Sequence, residues 1–349
     1  MNLVDLNKVA LAMVAPGKGL LAADESSGTI KKRFDDINVV STEESRRDYR
    51  EMLFRSTGAM TQYISGVILY DETFWQDARD GTPLVRLIEQ AGAIPGIKVD
   101  EGTQALPNCP GELVTAGLDN LAGRLKKYYD RGARFAKWRA VIDIGADHGT
   151  GGRKIPTMTA IHVNAHALAR YAALCQAAQI VPIVEPEVLM DGDHDIDRCY
   201  EVSVRVLNKT FQELRIQRLA LEGMILKPNM VVPGKKNPTR CSVEEVATKT
   251  IRLLKTCVPA AVPGIAFLSG GQSDEDATAH LDAMNRIGNL PWRLTFSYGR
   301  ALQAAPQKAW SGKAENVAAG QRAFDHRARM NSLASKGEWK PDLEARKAA

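Results

Sequence analysis

Charged residues recur in this chain inside short apolar stretches where charge is seldom found. Asp24 lies in LLAADES, Lys98 in IPGIKVD, Lys137 and Arg139 in FAKWRAV, Glu185 and Glu187 in IVPIVEPEV, and Lys227 in MILKPNM. Side chains alternate between the two faces of a strand. Lys137 and Arg139 therefore share a face, as do Glu185 and Glu187 on their own strand. Buried charges are rare unless paired. A single pair of this kind is most simply an ion pair between neighbouring strands. Lysines, carboxylates and an arginine spread over five strands point instead to one shared site.

Such a site suits amine chemistry on a carbonyl. A free lysine has a pKa near 10.4, so roughly one amine in a thousand is neutral and nucleophilic at pH 7, a handicap of about 4 kcal/mol. Desolvation and adjacent cations both reduce that handicap. The apolar strand around Lys227 offers the first effect, and Lys137 and Arg139 the second. The carboxylates offer acids and bases for dehydrating a carbinolamine and for moving a hydroxyl proton. Residue types and spacing do not choose among Lys98, Lys137 and Lys227.

Two later segments end in small residues, Leu268-Ser269-Gly270-Gly271-Gln272-Ser273 and Ser297-Tyr298-Gly299-Arg300. Glycines let backbone N–H groups approach an anion, and an arginine grips phosphate through its planar fork. An SGG string alone is a plain turn. Beside a Gly-Arg pair it predicts a phosphate site.

These residues need elements that bring strand ends together. Eight apolar, β-branched segments recur: Gly19 to Asp24, Tyr63 to Tyr70, Ile94 to Asp100, Arg134 to Ile142, Ile180 to Val188, Gly223 to Val231, Gly264 to Gly271, and Leu294 to Gly299. Their starts lie roughly 30 to 46 residues apart, the span of a strand, a helix and two loops. Helical patterns fill the intervals, as over Ile161 to Ala178 and over Ser242 to Leu254, where Ser242 and Glu245 make a capping-box signature. Eight βα units predict a single α/β domain, a (β/α)₈ TIM barrel over residues 1–337 with N- and C-terminal extensions. A barrel rings its strand ends around one mouth, and phosphate there sits on the loops after the seventh and eighth strands. A doubly wound open sheet is the competing fold. It usually carries a glycine-rich first turn, where this chain has Ala22-Ala23-Asp24-Glu25. Gly145 to Pro156 is glycine-rich and expected to be a loop. Residues 338–349 are expected to form a solvated, mobile tail.

Composition narrows the function classes. The net charge of +5 over 349 residues is mild and scattered, which suits an anionic small substrate and does not call for nucleic acid. The five cysteines are widely spaced without a CxxC pair, so they are expected to be reduced thiols of a cytoplasmic protein. No apolar run approaches 18 residues, and no signal-peptide pattern opens the chain, so no membrane partner is expected. His162 and His166 are spaced i, i+4 without an accompanying HExxH, and the DGDHD string does not match an EF-hand, so no metal is expected. The competing functions are a metal-dependent barrel lyase or isomerase on a sugar phosphate, and a non-catalytic binding protein on the same barrel.

The strings LAADES, RFAKWR, VPIVEPE, DGDHD, LKPNMV, FLSGGQS and LTFSYGRALQ occur in this order from about Gly17 to Gly337, and together they strongly resemble class I fructose-bisphosphate aldolases. The resemblance implies reversible cleavage of fructose 1,6-bisphosphate through a lysine Schiff base, without a metal or other cofactor. It implies Lys227 as the Schiff-base lysine and Glu185 as principal acid and base, with Glu187 beside it and Asp24 and Lys137 assisting. Ser269, Gly270, Gly271, Ser297, Gly299 and Arg300 would hold one phosphate, and Arg33, Lys98 and Arg139 the other. It further implies sugar-phosphate partners and a homotetramer. Two departures stand out. Asp147 to Lys154 resembles an insertion. The chain ends in Arg346-Lys347-Ala348-Ala349, where the family closes with a tyrosine that reaches the site. Deleting everything after Gly337 is therefore expected to change turnover by less than about fivefold.

Overall fold

Each apolar segment contains a strand, and the eight strands close into an all-parallel barrel. A computed structural model describes residues 2–145 and 155–345. The barrel strands are β1 (Gly19–Ala23), β2 (Ile64–Leu69), β3 (Ile94–Lys98), β4 (Phe135–Ile142), β5 (Val181–Val188), β6 (Ile225–Leu226), β7 (Gly264–Phe267) and β8 (Arg293–Tyr298). Every strand pairs with its neighbours in chain order, and β8 closes onto β1. The fold is thus a single α/β barrel of the TIM type. The expected insertion at Asp147 to Lys154 lies outside the described residues.

One parity runs through the barrel interior. Leu20, Ala22, Ile68, Phe135, Val181, Ile183, Ile225 and Ala266 form the inner cluster. Stepping by two from these residues reaches Asp24, Lys137, Glu185 and Lys227 at the upper ends. Helix Leu3–Met13, the N-terminal extension, adds Leu6, Ala10 and Met13 to the same cluster and plugs the lower end. The upper mouth stays open. Space inside is tight: a Cβ on Gly96 would overlap the Phe135 ring, and one on Gly66 would stand 2.9 Å from it.

Helices clad the barrel, some packing on the strands and others, such as Val317–Ala334, on neighbouring helices. Those after β4, β5, β6 and β7 start on N-cap side chains of Thr157, Asp195, Ser242 and Ser273, each accepting the amide of the residue three further on. Such a cap contributes about 1 kcal/mol and fixes where the loop stops. Among the described residues no helix is long and apolar enough to cross a membrane. All five cysteines are free.

The structure departs from the sequence reading in three places. The sixth strand, expected over Gly223 to Val231, pairs only at Ile225–Leu226. Pro228 has no N–H to extend the ladder. A hairpin of Thr103–Ala105 and Leu113–Thr115, not foreseen, stands over the mouth between β3 and β4. Its two short runs flank Pro107-Asn108-Cys109-Pro110-Gly111, a turn signal present in the sequence. The C-terminal segment is held in place over residues 338–345. Trp339 is buried, its amide donates to Asp282 at 2.8 Å and its carbonyl accepts from Arg286 at 2.6 Å. Glu344 accepts from Arg327, His326 and the Trp339 indole at 2.5, 3.0 and 3.0 Å. Polar composition hid an anchor made of one tryptophan and one ion pair.

Candidate active site

The upper ends of the strands surround a cavity of ≈ 830 Å³, lined by every candidate site residue named from the sequence. At its floor, ammonium and carboxylate groups alternate. Lys227 Nζ lies 3.1 Å from one oxygen of Glu185, Lys137 Nζ lies 3.3 Å from the other, and Lys137 also reaches Asp24 at 2.6 Å. Lys227, Lys137 and Glu185 are only 4%, 4% and 3% exposed, so their charges are met by one another and hardly by water. The backbone explains the convergence. Lys137 and Glu185 lie on the adjacent strands β4 and β5, and the Lys227 amide donates to Val184 O of β5 at 2.8 Å.

Electrostatics follows from this alternation. Burial pushes the Glu185 carboxyl up, but Lys137, Lys227 and Arg139 outweigh it and hold the group below its ordinary value. Asp24 is half-buried; desolvation pushes it up likewise, but Lys137 and Lys227 outweigh that and hold it well below the usual carboxylate range. Burial alone would push Lys137 down, yet Asp24 and Glu185 raise it well above its ordinary value. Arg139 pairs with Glu187, and Lys98 with Asp100 at 3.2 Å. The sequence reading gathered these cations and carboxylates into one site without naming which would pair. In the fold each of these cations faces a carboxylate, and the group nearest Lys227 is a proton acceptor.

On the β7–β8 side, Ser269 and Ser297 are buried, and Ser297 Oγ has no hydrogen-bond partner among the described residues. Gly270 and Gly271 hold φ of +59° and +86°, a backbone that disfavours side chains. Gly299 caps the helix Arg300–Trp310, whose N-terminus adds partial positive charge. Arg33 was expected with Lys98 and Arg139, but it stands on this side. Its guanidinium would lie 3.8 Å from a Cβ on Gly299 and pairs with Glu25.

Glu25 was missed in the sequence. It is buried and held by Arg50 at 2.6 Å and by Gln303 at 2.8 Å. Its neighbour Asp24 claims the inward parity, so strand alternation assigned Glu25 no role. Asp100, Asp191 and Lys32 also line the cavity unforeseen. His162 and His166 lie elsewhere, half exposed, each 3.3 Å from Glu213. Among the described residues no group of three or more His, Cys, Asp or Glu is placed to hold a metal ion.

Comparison with known proteins matches this geometry. The profile of the family described as glycolytic fructose-bisphosphate aldolase class-I covers residues 5–349. The chain is 55% identical over 341 residues to a probable fructose-bisphosphate aldolase class 1 of Xanthomonas campestris pv. campestris, covering 97% of this chain and 100% of that one. It is 53% identical to the cytosolic fructose-bisphosphate aldolase 4 of Arabidopsis thaliana, over 94% of this chain and 82% of that one. A solved fructose-bisphosphate aldolase of Plasmodium falciparum, in complex with TRAP and a small-molecule inhibitor, superimposes with a TM-score of 0.92 at 47% identity, covering 97% of this chain and 96% of that one. With the profile spanning nearly its whole length and the charged barrel mouth in place, the chain belongs to the class I fructose-bisphosphate aldolase family.

Proposed function

We propose that this chain cleaves fructose 1,6-bisphosphate reversibly through a Schiff base on Lys227. The observation that carries this reading is the pair formed by the enclosed Lys227 amine and the Glu185 carboxylate, 3.1 Å apart, at a mouth with cations on opposite sides. Glu185 accepts the ammonium proton, and the freed amine attacks the C2 carbonyl of the open-chain sugar. The carbinolamine oxygen leaves as water with that proton, which yields an iminium ion. The Glu185–Glu187 pair then takes the C4 hydroxyl proton. The C3–C4 bond breaks, its electrons pass into the iminium to form an enamine, and glyceraldehyde 3-phosphate departs. Protonation at C3 regenerates the iminium, and water releases dihydroxyacetone phosphate and the free lysine. Lys137 stays protonated throughout, keeping Asp24 ionised and orienting Glu185 as it takes up and returns protons.

Ser269, Gly270, Gly271, Ser297, Gly299 and Arg300 would hold one phosphate, joined there by Arg33. Lys98 and Arg139 would hold the other. The family reading also carries a metal-independent reaction, a cytoplasmic location and a homotetramer, whose mass light scattering would check. A coupled cleavage assay tests the function. Activity should survive EDTA, and it should be lost on borohydride treatment only when substrate is present. Loss of activity with EDTA, or indifference to borohydride with substrate, would overturn the reading.

A further inference from the structure

The DGDHD string has no part in the chemistry above, yet it is built into the mouth. Residues 190–194 and 234–237 are laced together: Lys235 N donates to Met190 O at 2.7 Å, Gly234 N to His194 O at 2.8 Å and Lys236 N to Gly192 O at 3.0 Å. The Gly192 carbonyl fills the space a Cβ on Gly234 would need, so the two loops touch backbone to backbone. Asn237 adds a side-chain bond to Asp193 O at 2.8 Å. The lacing fixes where Lys235 points. A Cβ on Gly271 would stand 2.6 Å from Lys235 Nζ and 2.8 Å from a guanidinium nitrogen of Arg300. Two cations, one from a loop and one from a helix start, thus crowd one glycine of the Ser269–Gly271 turn.

Like charges brought together repel, and the fold supplies only part of the compensation. Asp191 pairs with Lys235 at 2.7 Å and is itself largely exposed. Among the described residues no carboxylate forms an ion pair with Arg300. A doubly charged anion on the turn would satisfy both cations, while Asp191 could turn back to water at little cost.

We propose that Lys235 is a second cation of this phosphate site and that Asp191 is its resting counter-ion, displaced when the substrate phosphate binds. The inference rests on the placement of a phosphate at Ser269–Gly271 and Arg300 proposed above. Before binding, the lysine is parked on Asp191. On binding, it exchanges an exposed carboxylate for a phosphate dianion that Arg300 already holds. The exchange sets affinity and leaves the bond-breaking step untouched.

Steady-state cleavage of fructose 1,6-bisphosphate by Lys235→Met, Lys235→Arg, Asp191→Asn and Arg300→Ala tests this. Lys235→Met should raise KM by about three- to tenfold, the range of one partly exposed charge-assisted contact, with kcat within about twofold. Lys235→Arg should restore KM, and Asp191→Asn should lower it, since the competing carboxylate is gone. If Arg300→Ala raises KM but Lys235→Met does not, the role of Lys235 is refuted and the phosphate site stands. If neither raises KM, both fall together. A loss of kcat in Lys235→Met that Lys235→Arg fails to rescue would show that the lysine only supports the loop, and would overturn the proposal. Unchanged or higher KM in Asp191→Asn would overturn the counter-ion role.

Discussion

Enclosure alone would favour a neutral Glu185, but two ammonium groups within 3.3 Å keep it ionised. A base that stays charged at low pH, next to the amine it must deprotonate, is ready before substrate arrives. Glu185→Gln keeps the shape and removes the proton acceptor, so kcat should fall by about 10²- to 10⁴-fold in the coupled assay. Lys137→Met leaves the buried Glu185 and the half-buried Asp24 with less compensation and should cost about 3–5 kcal/mol in urea unfolding. The pH dependence has a defined sign. Asp24 and Glu185 are held below their ordinary values of 3.8 and 4.5, so they release protons more readily folded than unfolded. Their contribution to stability is complete above about pH 4.5 and is lost as pH falls through the lowered values. The Lys137→Met variant should show a smaller acid-side loss, read from unfolding midpoints between pH 3 and 6.

At the scale of elements, strand parity made much of the site legible. Ala22 to Asp24, Phe135 to Lys137 and Ile183 to Glu185 each step by two along a strand, so inward apolar residues predict inward charges. The glycines after β7 and the Gly-Arg after β8 were legible for a similar reason, because their place in the chain order fixes their place at the mouth. Glu25, Arg50, Gln303 and Lys235 were not. Each acts through a partner on a different loop or helix, and no local period encodes such a meeting. The location of Arg33 failed likewise, since a helix residue after β1 can face either neighbouring strand. Strand spacing also leaves a mark in the core, where Gly66 and Gly96 make room for Phe135. Gly96→Ala should lower stability by about 1–3 kcal/mol through overpacking. Adding Phe135→Leu should recover part of that loss in thermal unfolding.

For the whole molecule, the termini decide which end of the barrel works. The N-terminal helix seals the lower end, and the C-terminal segment climbs the outside along helix Asp274–Ile287, from Asp282 and Arg286 at Trp339 to Arg327 and Asp274 at Glu344. Deletion after Gly337 would remove Trp339 and leave Arg327, only 4% exposed, without its carboxylate. That variant should lose about 3–5 kcal/mol of stability, which would confound any reading of turnover. Deletion after Ala345 removes only Arg346 to Ala349 and keeps both anchors. Turnover should then change by less than about fivefold. A loss of two decades would show that the last residues assist enamine protonation.

The central claim is that Lys227, and no other lysine of the mouth, becomes covalently bound to substrate. The chain should be incubated with dihydroxyacetone phosphate, reduced with borohydride, digested and mapped by mass. The account predicts the reduced adduct on the peptide carrying Lys227, and its absence in a folded Lys227→Met variant. An adduct on Lys98 or Lys137 in the unaltered chain, or none at all, would contradict it.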